Sequence, residues 1–99
     1  MSEIKPSFLA NITLYATGQG GRATAIRGDW FSCPCKFHEK DFSAWDCRLL
    51  LNGQVVSPGE TRRLGIVFLS PEIAPAFRSV RRFYLWDGKT IGEAAAILD

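Results

Sequence analysis

Apolar residues recur at every second position from Phe8 to Thr17. Phe8, Ala10, Ile12, Leu14 and Ala16 share one face, and Leu9, Asn11, Thr13 and Tyr15 share the other. A period of two is that of a strand with one buried face. The pattern returns from Trp30 to Phe37, where Phe31, Cys33, Cys35 and Phe37 oppose Trp30, Ser32, Pro34 and Lys36. It returns again where Trp45, Cys47, Leu49 and Leu51 alternate with Asp46, Arg48 and Leu50. Leu64, Ile66 and Phe68 alternate within residues 61–70, and Val80, Arg82, Tyr84 and Trp86 alternate against Arg81, Phe83 and Leu85. Pro34 donates no ladder hydrogen bond, which predicts an edge or a bulge at that point.

The breaks between these runs are turn residues. Gly18-Gln19-Gly20-Gly21 ends the first strand, and Asn52-Gly53 and Asp87-Gly88 are two-residue hairpin signals. Shorter extended pieces are expected at 22–27 and 54–57. Residues 71–77 hold two prolines, predicting a loop with at most one helical turn. Residues 89–98 are contested: Glu93 to Leu98 favours helix by propensity, whereas Gly92 and the preceding turn favour a strand. A strand is the expectation. Six or seven short strands without a strong helix suggest a barrel or sandwich, and closure has the advantage of leaving no free edge.

Composition fits one globular domain. The 99 residues are 46% apolar and 22% charged, with seven Phe, three Trp and two Tyr, which excludes a disordered or collagen-like chain. A chain of this length buries roughly 65% of its unfolded surface. Twelve basic residues against ten acidic ones exclude a polybasic mode of nucleic-acid binding and leave only a local patch. No apolar run approaches the ~20 residues of a membrane helix. The opening residues lack a signal-peptide pattern and the three cysteines are odd in number, so a reducing cytoplasm is the expectation.

The order of motifs resembles a known family. Val56-Ser57-Pro58-Gly59-Glu60, an apolar strand and then Ser70-Pro71-Glu72-Ile73-Ala74 is similar to the C-terminal barrel domain of elongation factor Tu. Gly20-Gly21-Arg22-x-Thr24 is similar to that family's Gly-Gly-Arg-x-Thr segment, and residues 82–92 look like its closing hairpin. The resemblance implies an all-β fold, a small closed six-stranded antiparallel barrel, as a single domain over residues 1–99 with the barrel proper at about 8–98. It also implies a GTP-binding domain and a second barrel elsewhere in such proteins. This chain has no Gly-x-x-x-x-Gly-Lys-Ser/Thr loop, so no nucleotide cofactor and no GTP hydrolysis are expected of it. The family's barrel touches tRNA through the Gly-Gly-Arg segment and the closing turn, and it also meets protein partners. By position those contacts fall on Arg22 and Lys89, with Ala23 where the family has histidine and Asp87 where it has glycine.

Three constellations merit chemical weighing. Cys33, Cys35, His38 and Cys47 are ligand types for zinc, but the paired Cys-x2-4-Cys spacing of structural sites is absent, and small core residues are the favoured reading. Catalysis by a thiol would need His38, the only histidine, and no oxyanion donors can be placed, so no enzyme activity and no cofactor are expected. Arg62, Arg63, Arg78, Arg81 and Arg82 form a cationic cluster, with Arg63 and Arg81 expected on one outer face. Together with Arg22 and Lys89, Arg81 and Arg82 make a candidate RNA-binding set. Trp30, Pro34 and Leu50 oppose the cysteine face. They are either an exposed apolar patch for a partner protein or a second copy, or a second core layer under residues 42–45. A protein-interaction module is the first expectation of function, and RNA binding the alternative.

Overall fold

The computed structural model describes residues 5–98. Six strands, β1 (Phe8–Leu14), β2 (Trp30–Lys36), β3 (Trp45–Leu50), β4 (Thr61–Phe68), β5 (Arg82–Trp86) and β6 (Thr90–Ala96), close into a barrel in the order β1-β4-β3-β2-β5-β6. Every seam is antiparallel. The alternation read from the sequence is the alternation of the wall: Phe8, Ala10, Ile12 and Leu14 are buried, as are Leu64, Ile66 and Phe68. Residues 89–98 resolve as a strand over Thr90–Ala96. Tertiary packing overrides helix propensity there, because Ala94 is fully buried and Gly92 lies against the Thr13 carbonyl oxygen, where a Cβ would overlap it.

Two connections differ from expectation. Pro71–Ile73 is a 3-10 turn that runs into α1 (Ala74–Val80), more helix than the single turn predicted. Both prolines occupy first-turn positions, where no backbone N–H is required, and Ala74 and Phe77 are buried on the inner side. Asn52-Gly53 does make a turn, with φ of 51° and 85°, and the Gln54 N–H donates to the Leu51 carbonyl at 2.9 Å. It does not return the chain onto β3, however. Leu51 and Asn52 donate to the Asp29 carbonyl, Gly53 donates to that of Gly28, and Val56 bridges Ile26. The turn is looped out of one continuing ladder, and of the extended pieces at 22–27 and 54–57 only that single bridge remains.

The two ends of the barrel are closed differently. At one end α1 inserts Phe77, fully buried, whose ring lies 4.0 Å from Phe37, 4.8 Å from Phe68 and 4.9 Å from Phe83 by centroids. The other end is sealed by the segments around 16–29 and 51–60. Leu14, Ile26, Leu51, Val56 and Ile91 are buried there, and Leu14 exchanges backbone hydrogen bonds with Gly59 and Glu60. Cys33 faces Cys47 across the β2–β3 seam between these plugs. Pro34 lies just beyond the short β2–β5 seam, which holds only the Cys35–Leu85 and Lys36–Tyr84 pairs, so its missing N–H falls where no ladder continues.

Candidate interaction face

The outward residues of β2, β3 and β4 form one face. Register places Trp30 beside Leu50, Leu50 beside Gly65 and Gly65 beside Leu9. The next row is Ser32, Arg48 and Val67, and the third is Pro34 and Asp46, with the Leu69 N–H bonded to the Asp46 carbonyl. Trp30, Leu9 and Leu69 are exposed at 45%, 38% and 55%. Leu50 is a correction to the exposed patch read from sequence: only 7% of it is accessible. It lies with Pro6 over Gly65, where an added Cβ would meet Pro6 at 2.9 Å and Leu50 at 3.3 Å. The cover is therefore Pro6, and Phe42 in the 42–45 segment points wholly into solvent.

Arg48 occupies the middle of this face. Its guanidinium carbon is 5.1 Å from the Trp30 ring centroid, a cation–π distance, and its Nε is buried with no hydrogen-bond partner among the described residues. A buried donor without an acceptor is uncommon and carries a desolvation penalty of about 1–3 kcal/mol. Asp46, two residues along the same face, makes no ion pair among the described residues. Arg48 and Leu69 were not singled out from sequence; the strand period had already put Arg48 between Asp46 and Leu50, and only the register joined Val67 and Leu69 to them.

The candidate RNA residues do not come together. Arg22 donates to the Asp87 carboxylate at 2.9 Å and covers the Phe31 ring at 4.9 Å, so its charge is matched inside the fold. Lys89 is exposed in the β5–β6 turn, whereas Arg81 and Arg82 lie at the opposite end of β5. Arg82 pairs with Glu93 at 3.7 Å. The outer row across four strands reads Arg63, Asn11, Ala95 and Arg82, so Arg63 shares its face with Arg82 and not with Arg81. The exposed face of Trp86 is met by the Lys36 amine, 4.8 Å from its centroid.

Of the candidate metal set, the three thiols stay together and His38 stands apart from them. His38 is exposed on the turn after β2, its backbone N–H donating to the Asp41 carboxylate at 3.1 Å. Cys33, Cys35 and Cys47 are free thiols buried inside the wall, and the Cys47 S–H donates to the Cys33 carbonyl at 3.1 Å. Among the described residues no group of His, Cys, Asp and Glu is placed to hold a metal. Burial, followed by the contact with Cys33, pushes the Cys35 thiol well above its ordinary value. Contact with the Cys33 and Cys35 thiols, then burial, does the same to Cys47. No helix among the described residues is long and apolar enough to cross a membrane. No family model matches the chain, and no curated protein matches it in sequence.

Proposed function

We propose that the chain is a non-catalytic binding module, resembling the C-terminal barrel of elongation factor Tu, whose outer β2–β3–β4 face pairs with the same face of a second copy. The observation that carries this reading is the Trp30–Arg48–Asp46 arrangement. A large exposed indole stacks on an arginine whose Nε lacks an acceptor, and an unmatched carboxylate stands two residues away on the same strand face. In a two-fold interface, residue i of one copy meets residue j of the other and the reverse. Arg48, through its terminal N–H groups, would then meet Asp46 of the second copy twice, while Trp30 and Leu69 bury apolar surface around the pair. Tryptophan and arginine are the residues that most often anchor such interfaces. The division of Arg22 and Lys89 from Arg81 and Arg82 between opposite ends of the barrel favours this reading over an RNA-binding one.

Sedimentation equilibrium of the purified chain over micromolar to submillimolar concentrations tests it. A concentration-dependent dimer is expected, weakened by about tenfold or more in Trp30→Glu. Arg48→Asp and Asp46→Arg should each abolish self-association. Mixing those two variants should restore a heterodimer, held by one reversed pair and one pair of the original orientation. A chain that stays monomeric throughout, or a mixture that fails to associate although each variant is folded, would sink the proposal.

A further inference from the structure

A cavity of the described residues lies beside α1, at the helix-capped end of the barrel. It is an open groove of about 660 Å³ bounded by Ser7, Phe8, Ala74, Pro75, Arg78, Arg81 and Leu98, among others. A second groove of about 260 Å³ adjoins it, sharing Ser7, Phe8 and Arg78 and extending to Leu9 and Ile97. The lining combines apolar side chains with two serines and two arginines. Neither Arg78 nor Arg81 has an acidic partner among the described residues. Arg81 follows the helix with φ of 70° and ψ of −46°, a positive-φ conformation outside the left-handed helical basin that a side-chain-bearing residue adopts at a cost in strain. That conformation holds the segment between α1 and β5 in place, and the Arg81 carbonyl accepts the Ala96 N–H. The Ser7 hydroxyl oxygen accepts the Phe68 N–H at 3.3 Å, which leaves its own proton free to donate.

We propose that this groove binds the end of a peptide chain, an aliphatic last residue with its free carboxylate. The aliphatic side chain lies over Phe8, Ala74, Pro75 and Leu98, and the carboxylate faces Arg78 and Arg81. Two guanidiniums suit a planar carboxylate, since each offers paired N–H donors. A cleft of several hundred Å³ with an apolar lining and a few converging polar groups is the usual form of a ligand site. The extension past Ser7 and Arg78 into the second groove suits an extended chain better than a compact molecule. RNA is the poorer occupant: single-stranded RNA is held largely by stacking on accessible aromatic faces, and the one aromatic ring among the described lining residues, Phe8, is 8% exposed.

The test is a titration of the isotopically labelled full chain with the N-acetylated tetrapeptide Gly-Gly-Ile-Leu, followed by amide chemical shifts. Saturable changes confined to residues 7–9, 74–81 and 97–98 are expected. The C-terminally amidated peptide should bind about tenfold or more weakly, and Arg78→Gln and Arg81→Asn should each weaken the acid peptide severalfold. Amide-shift dispersion matching the parent's shows that each variant keeps the fold. Equal binding of acid and amide would overturn the proposal, as would shifts located elsewhere. Binding of 4-methylpentanoate as tight as the peptide would make the ligand a free acid and overturn the chain end; tighter binding of a short single-stranded RNA at these residues would replace it. Trp30→Glu should leave this titration unchanged, so loss of self-association and loss of peptide binding are read separately.

Discussion

The helix-capped end of the barrel and its loop-capped end solve the same problem by opposite means. At the first, closure comes from side chains: Phe77 is surrounded by Phe37, Phe68, Phe83 and Trp45. At the second, closure comes from backbone geometry. Gly21 lies against the Tyr15 carbonyl oxygen, Gly59 takes a φ of 89°, and main-chain hydrogen bonds join Gly59 and Glu60 to Leu14 and Ile91 to Tyr15. One end is therefore sensitive to atoms removed, and the other to atoms added.

The sharpest way to break this contrast is Phe77→Ala. Emptying the centre of an aromatic cluster should cost about 3–5 kcal/mol in urea unfolding. A loss below about 1 kcal/mol would mean that the helix is an accessory and not a plug. Gly21→Ala comes next, at roughly 1–3 kcal/mol, because the new methyl has no room beside the Tyr15 carbonyl. Gly18→Ala, three residues earlier and facing open space, should change stability by no more than about 0.5 kcal/mol. Equal effects at the two glycines would remove the geometric account of that end. Arg22→Ala should cost about 1 kcal/mol or less, since its contact with Asp87 is partly solvated and its stacking on Phe31 adds little more. The deficit should shrink in high salt as screening weakens the ion pair it removes.

The smallest effect concerns acid. The Ser57 N–H donates to Glu60 at 2.7 Å and Arg62 lies 3.1 Å from the other oxygen, which together hold the Glu60 carboxyl below its ordinary value. A carboxyl lowered in the folded state adds stability that is present above its unfolded pKa, and that stability is lost as pH falls through the folded one. Melting temperatures between pH 6 and 3 should thus fall slightly less steeply in Glu60→Gln than in the parent. No difference in slope would show that the turn at 57–60 holds without its carboxylate.

The strands were legible in the sequence because a period of two leaves a direct trace: Phe8, Ala10, Ile12 and Leu14 needed no partner to be assigned inward. The helix was less so, since two prolines weigh against helix unless their position in its first turns is known. Asn52-Gly53 carried the local signal for a turn but not which strand would lie opposite it. Leu50 was correctly outward, yet its cover, Pro6, comes from a remote part of the chain, and no local pattern announces it. The groove joins Ser7, Arg78 and Leu98, residues with no shared spacing, so it exists only once β1, α1 and β6 have met. The elongation factor Tu resemblance had pointed to Arg22, and Asp87, the residue that departs from that family, is the one that neutralises it.

Strands β1 and β6 are neighbours, and the Ile97 N–H reaches the Leu9 carbonyl at 2.9 Å. Residues 7–9 and 97–98 consequently lie close together at the helix-capped end, within the lining of the peptide groove. A ligand segment tethered to either of these strands would be carried close to Arg78 and Arg81. A short flexible tether confines its cargo to an effective concentration on the order of millimolar. Even a feeble ligand for that groove would then be held there by attachment alone.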